Sequence, residues 1–320
     1  MALNYGYLSS VVRERYMPGF ADNIFDVGSL LKILKNDNSV KVKGGDGFSL
    51  GLKYAKNQAH GNFSGYDTLD VSPTDNKTRM KLDWVNYYAS VSISGDDEDK
   101  VQGEEAVLDL VKDGIEDAEM TMQDDLATDI FTGGGGEQMI GLDTAIGTGS
   151  YGGINGGTDT WWVSGVDTTA HTIANMKDST NASYVLALLQ TAIRTATHFG
   201  KKPNLIVTTL LIWDLIETIL HGKAYYTKSN RANTLGQLGF TVLEFRDIPI
   251  VADEKCPTGR LYVLNTEFLK MYIHPSRNFL WTGFKEPTNQ IARVGQVTTK
   301  TQLGLNNRRM FYKFTSLALS

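Results

Sequence analysis

The chain has 320 residues, more than one typical domain, with the 41 % hydrophobic and 21 % charged content of an ordinary folded globular protein. No early stretch joins basic residues to an apolar run and a cleavage site, and no apolar run approaches the roughly 20 residues that span a bilayer, so secretion and membrane insertion are not expected. One cysteine, Cys256, rules out an intrachain disulfide and leaves a structural zinc site without its usual thiolates.

The net charge of -5 hides an asymmetry. From Ser94 to Glu137 there are 15 acidic residues against Lys100 and Lys112, a balance of -13, whereas Lys285 to Ser320 carries six basic residues against Glu286, a balance of +5. The acid is concentrated on one element. It marks either a solvated helix face or a surface that repels polyanions and meets a basic partner.

In chain order, residues 1–36 have scattered apolar positions (Leu8, Val12, Phe20, Ile24, Leu30, Leu34) interrupted by Pro18 and Gly19, and read as an arm of short helical pieces that docks elsewhere. Val40, Val42, Phe48, Leu50, Leu52 and Tyr54 then alternate with polar residues. The alternation resumes at Met80, Leu82 and Trp84, then Val91 and Ile93, after a turn-rich stretch from Asn57 to Asp75. Two strands of a protruding hairpin are expected here, within residues 37–95, with a mobile tip. A hairpin this long needs a covered face and paired edges, which neighbouring subunits can supply. Leu50, Leu52, Leu82 and Trp84 are therefore expected to become buried mainly on assembly.

From Gly103 the period turns helical, with Val107, Val111, Ile115, Ala118, Met122, Leu126 and Ile130 on one stripe and four glycines, Gly133 to Gly136, ending the element as a linker. Glu104, Glu105, Asp109, Asp113, Glu116, Glu119 and Asp124 fall on the opposite side, so the helix should lie across a sheet with an acidic back. A second glycine-rich linker runs from Gly147 to Gly157. Beyond it come a helix over 182–198, a strand over 203–209, a helix over 210–221 and strands at 240–245, 248–252 and 260–264, which read as an α/β layer domain. Val297, Thr299, Thr301 and Leu303 alternate, and Met310, Tyr312 and Phe314 alternate back after a turn. This reads as a terminal hairpin whose place is the sheet under the acidic helix.

No catalytic constellation emerges. The five histidines (His60, His171, His198, His221, His274) sit in no nucleophile context such as Gly-x-Ser-x-Gly, and Gly133 to Gly136 lacks the Gly-Lys-Ser/Thr ending of a phosphate loop. Asp96 to Asp99 lacks the spaced ligands and central glycine of a calcium loop. Tyr151, Trp161 and Trp162 among glycines suit stacking on sugars or a loop ordered by burying its own rings. No enzyme activity, cofactor or metal is expected.

Over nearly its whole length the chain resembles a major capsid protein of tailed bacteriophages, of the Hong Kong ninety-seven type. The resemblance rests on the arm, the extended loop ending in Trp84 and Val91-Ser92-Ile93-Ser94, and the long helix with Asp124-Asp125-Leu126 and Ile130-Phe131 running to Ile140-Gly141-Leu142. It continues through Gly239-Phe240-Thr241-Val242, Ile248-Pro249-Ile250-Val251-Ala252-Asp253, Tyr262-Val263-Leu264-Asn265 and Asn307-Arg308-Arg309. The resemblance implies an α+β chain divided into an N-terminal arm (1–36), an extended loop (37–95), a peripheral domain in two parts (96–150 and 280–320) and an axial domain (151–279). It implies pentamers and hexamers of an icosahedral shell around double-stranded DNA, assembled in the host cytoplasm, with the acidic helix toward the interior. It further implies a portal and a decoration protein, and no membrane. Scaffolding is expected from a separate protein or a preceding segment. The family's lysine-to-asparagine crosslink has nominal counterparts in Lys53, Lys56 or Lys77 and Asn306 or Asn307, but no local motif marks a pair. Rival readings are an encapsulin-like compartment shell and a glycan-binding or glycan-cleaving protein.

Overall fold

The computed structural model describes residues 5–17, 19–20, 23–24, 29–42, 45, 47–96, 104–221, 243–288 and 290–318. Its helices are α1 (Tyr5–Val11), continued by a π-helical turn at Val12–Tyr16, α2 (Ser29–Asn38), α3 (Glu104–Thr132), α4 (Leu142–Ala145), α5 (Ile173–Lys177), α6 (Val185–Thr195) and α7 (Leu210–His221). The strands begin with β1 (Ser39–Lys41), β2 (Gly47–Lys53), β3 (Lys77–Asp83), β4 (Val85–Ser94), β5 (Ser150–Tyr151), β6 (Ile154–Asn155) and β7 (Gly165–Asp167). They continue with β8 (Leu205–Thr208), β9 (Leu243–Phe245), β10 (Ile248–Ala252), β11 (Leu261–Leu264), β12 (Leu269–Ile273), β13 (Leu280–Trp281), β14 (Ala292–Leu305) and β15 (Tyr312–Phe314).

The first sheet is organised by β14. One of its edges carries β12 and β13, and the other pairs with β4 from Ala292 opposite Ser94 to Thr301 opposite Val85. β1 adds to β12 in parallel. Strict alternation sends Val85, Ala89, Val91 and Ile93 to the covered face and Ser90, Ser92 and Ser94 to the open one, as a half-buried antiparallel strand requires. The long helix α3 lies across the covered face, with a Cβ built on Gly114 falling 2.8 Å from Val91 Cγ1. All seven residues of its expected apolar stripe are buried. The arm docks in the same core through Leu8, Val12, Phe20, Ile24, Leu30 and Leu34. Pro18, also expected to shape the arm, lies outside the described residues.

The second sheet has six strands in the order β7-β15-β11-β8-β10-β9. Leu205, Val207, Tyr262 and Leu264 face the core containing α3, whereas Ile206, Ile250, Leu261 and Val263 face α6 and α7. Both faces are covered, which is why Leu205 to Thr208 and Leu261 to Leu264 read as unbroken buried runs. The expected elements at 203–209, 210–221, 248–252 and 260–264 all form, and of 240–245 the described part, Leu243–Phe245, is a strand.

Two expectations about pairing are corrected. The terminal hairpin does not form: β14 belongs to the first sheet, while β15 lies in the second between β7 and β11. A short 3-10 turn at Arg308–Met310 carries the chain from one sheet to the other. The protruding hairpin is also shorter than the alternation suggested. It consists of β2 and β3 alone, because the chain leaves it after Trp84 and β4 joins β14. β4, from the segment expected as loop, and β12, from the segment expected as axial domain, thus share a sheet with the C-terminal region.

The expected linker after α3 is a tight reversal. Gly141 N–H donates to Gly133 O at 2.9 Å, and Gly134 bridges Ile140. A Cβ on Gly133 would lie 1.9 Å from Met139 O, so only glycine lets the two segments close, whereas Gly134 faces open space. Gly133→Ala is therefore expected to destabilise the subunit by about 1–3 kcal/mol, the usual cost of forcing volume into a packed site, and Gly134→Ala to leave the denaturation midpoint nearly unchanged. Equal midpoints for the two variants in urea unfolding would contradict this account.

Candidate functional site

The hairpin's expected assembly residues are already covered by the chain itself. Leu52, Leu82 and Trp84 are buried and Leu50 is half-buried. Phe48 bridges Trp84 and Tyr272, at centroid distances of 5.0 and 4.3 Å, so the hairpin's apolar face lies on β12. The expectation that these residues are buried mainly on assembly is thus corrected for Leu52, Leu82 and Trp84. Alternation identified the apolar face, but it carries no information about which surface covers that face.

The unsatisfied apolar surface is further out. Residues 54–76 form no strand, and Phe63, Tyr66, Leu69 and Val71 are exposed there. Sequence reading missed these four because glycine, serine and aspartate surround them without period; their concentration in a polar tip is the signal that was available. The base of the hairpin is held by Lys81 N–H donating to Gly152 O at 3.0 Å, by Met80 against Gly152, and by a stacked Tyr54–Trp161 pair.

On α3, Asp109, Asp113, Glu116 and Asp124 are exposed and Glu119 is half-buried; the side chains of Glu104 and Glu105 lie outside the described residues. The face is not uniform. Asp124 pairs with Lys255 from the loop after β10, and Glu116 lies 3.7 Å from Lys112. Burial raises the Glu119 pKa above its ordinary value, opposed by a hydrogen bond from Asn23 of the arm and aided by the nearby Glu116. Burial, with Asp129 and Asp124 adding like charge, raises that of Asp125. At both residues burial is the larger cause and neighbouring like charge adds to it.

Buried polar groups fix the joint between the sheets. Arg308, fully buried, donates through Nε to Ala145 O at 2.8 Å and through one terminal nitrogen to Gly149 O at 2.8 Å and Trp162 O at 2.9 Å. Its guanidinium lies 5.3 Å from the Tyr151 ring centroid, and burial lowers its pKa to about 10, so it stays charged at neutral pH. Ser164 Oγ–H donates to Arg308 O, and Trp162 Nε1–H to Tyr151 O. The glycine-rich stretch is accordingly an ordered loop wrapped on the C-terminal segment. Nearby, Asp143 receives Tyr262 at 3.1 Å, Arg260 at 3.2 Å and Lys313 at 3.4 Å. Asp253 accepts Leu30 N–H on one oxygen and Lys255 N–H on the other, both at 3.0 Å, tying the start of α2 to the end of β10.

Chemistry is sparse. His171 is buried 3.3 Å from Asp167, and His274 Nδ1 caps a 3-10 turn by accepting Ser276 N–H. Among the described residues no three metal-ligating side chains cluster, and no helix is long and apolar enough to cross a membrane.

No protein-family model matches the chain, and no curated protein matches it in sequence. Solved structures match it in fold. The capsid asymmetric unit of cyanophage A-1(L) superposes with a TM-score of 0.61 at 20 % identity, covering 91 % of this chain and 93 % of that one. The capsid of a native GTA particle gives 0.60 at 14 % identity, covering 89 % and 90 %. A holo-SrpI encapsulin complex from Synechococcus elongatus gives 0.50 at 10 % identity, covering 90 % and 87 %. At such identities the likeness is one of architecture: the chain is α+β and has the Hong Kong ninety-seven type capsid fold, as the sequence resemblance implied.

Arg308→Met keeps the side chain's length but leaves three buried carbonyls without their donor. A loss of about 3 kcal/mol or more is expected, read by thermal unfolding of the subunit, with Arg308→Lys only partly restoring it because one ammonium cannot reach all three. Wild-type stability in Arg308→Met would show that the joint does not depend on the guanidinium.

Proposed function

We propose that the chain is the major structural subunit of an icosahedral head, assembling as pentamers and hexamers around double-stranded DNA in the host cytoplasm and remaining in the virion capsid. The observation that carries this reading is the match of about nine tenths of the chain to about nine tenths of phage and GTA capsid subunits. In this reading the first sheet with α3 is the peripheral domain, the second sheet with α6 and α7 is the axial domain, and the subunit has no catalytic role. A separate scaffolding protein, a portal and a decoration protein complete the partner set, and DNA is held without sequence-specific contact. The encapsulin likeness favours a second reading, a shell that encloses protein cargo. Negative-stain microscopy of the purified full chain tests both. Closed shells with nuclease-protected DNA support the head, closed shells with co-purifying protein cargo support the compartment, and a monodisperse small species at every concentration overturns both.

The exposed tip of the hairpin is proposed as the intersubunit element, since Phe63, Tyr66, Leu69 and Val71 are more than half exposed. Removing residues 57–75 should leave a subunit whose melting temperature is close to the parent's, because Leu52, Leu82 and Trp84 keep their intrachain contacts, yet whose shell yield collapses. Shells of normal yield and stability from this deletion would eliminate the assignment.

The acidic back of α3 is proposed to face the packaged DNA. Phosphate contacts supply most nonspecific affinity, so like charge keeps DNA from adhering to the wall. Replacing Asp109, Asp113, Glu116 and the neighbouring exposed Asp117 with lysine should raise DNA retention by opened shells at low salt, and the gain should fade as the screening length shortens. Retention equal to the parent's across the salt series would reduce this face to solvated helix surface.

A further inference from the structure

Where the base of the β2–β3 hairpin meets the loop around β6, the surface opens into a cleft of about 500 Å³. One wall is the Tyr54–Trp161 ring pair, with centroids 5.3 Å apart and planes 24° from parallel. Tyr54 is 38 % exposed and Trp161 half-buried, so the pair presents aromatic surface to the opening. The rest of the lining is mainly polar and includes Asp75, Lys77, Asn155 and Asp159, with Asp75 next to Tyr54 and Asp159 next to Trp161.

The polar groups are positioned and still have capacity to spare. Tyr54 O–H donates to the backbone carbonyl of Asp75 at 2.9 Å, which orients the ring. Trp161 Nε1–H donates to Asp159 Oδ1 at 3.2 Å, so the second oxygen of that carboxylate remains an acceptor. Asn155 Oδ1 accepts Gly157 N–H at 2.9 Å, which leaves its amide as a donor. Aromatic surface flanked by a carboxylate and an amide suits a ring with one apolar C–H face and equatorial hydroxyls, and the volume falls within the roughly 300–1,000 Å³ of small-molecule sites. Two carboxylates against one lysine on the rim disfavour an anionic ligand.

We propose that this cleft binds a neutral pyranose unit of a saccharide, packed against the Tyr54–Trp161 pair and hydrogen-bonded by Asp159 and Asn155. The site is complete within one chain and does not depend on shell formation. The test uses unassembled full-length subunits, so a failure of assembly and a failure of sugar binding are read separately.

The probes are methyl α-D-glucopyranoside, methyl β-D-galactopyranoside and methyl N-acetyl-β-D-glucosaminide, followed by saturation-transfer NMR and tryptophan fluorescence. At least one should bind with a Kd near 1 mM, as a single sugar unit warrants, with Tyr54→Ala and Asp159→Asn each weakening it about tenfold and Tyr54→Phe retaining it. Tyr54 is exposed and Asp159→Asn is isosteric, so both variants are expected to fold. Absence of binding for all three glycosides overturns the proposal. Binding that survives both Tyr54→Ala and Asp159→Asn overturns it equally, because the sugar then sits elsewhere.

Discussion

A buried guanidinium holds this molecule together at the point where its two sheets meet. Arg308 sits immediately after β14 and before β15, and its planar fork gathers carbonyls from three places between Ala145 and Trp162. Burying such a cation is costly unless its donors are met, and here geometry and a tyrosine ring meet most of them. Because the same residue sets the turn into β15, the ordering of the glycine-rich loop and the crossing of the chain between sheets are one event. The second sheet would otherwise lack β15 in its interior, since β15 pairs with both β7 and β11.

Much of this architecture was legible in the chain. The helical stripe from Val107 to Ile130, the alternation at Val297 to Leu303 and the apolar run at Ile248 to Ala252 are local patterns, and such a pattern is fixed by the geometry of a single element. Strand partnership was less legible. Met310, Tyr312 and Phe314 alternate as well as Val297 to Leu303 do, and nothing in either segment says that they enter different sheets. That decision lies with Arg308, whose partners are more than 140 residues away in sequence. The hairpin failed for a related reason: the cover for Leu82 and Trp84 is a surface including Phe48 and Tyr272, assembled from distant segments.

The acidic helix shows both limits in one element. Its exposed and buried positions follow from spacing, whereas the pairing of Asp124 with Lys255 and the contact of Glu119 with Asn23 needed the fold. These contacts tie the long helix to the arm and to the loop after β10, which divides the acidic face into a segment around Asp109 to Glu116, where Glu116 pairs with Lys112 of the same helix, and one near Asp124 anchored to other elements. A run of exposed acids and a set of anchors to the subunit's own arm and loop coexist on the same helix because they occupy different turns.

The pairing of β4 with β14 also orders events in time. Ser94 and Ala292 are opposite each other yet roughly 200 residues apart, so the loop that must close before the first sheet forms is long, and such closures are slow. During synthesis β4 and the apolar stripe of α3 emerge well before the strand that completes their sheet. The nascent chain therefore carries an open edge without a single charge from Val85 to Ser94 beside an uncovered hydrophobic helix face. Folding of this half of the subunit has to wait for β14, and until then the unpaired edge and the helix stripe are the surfaces most open to aggregation.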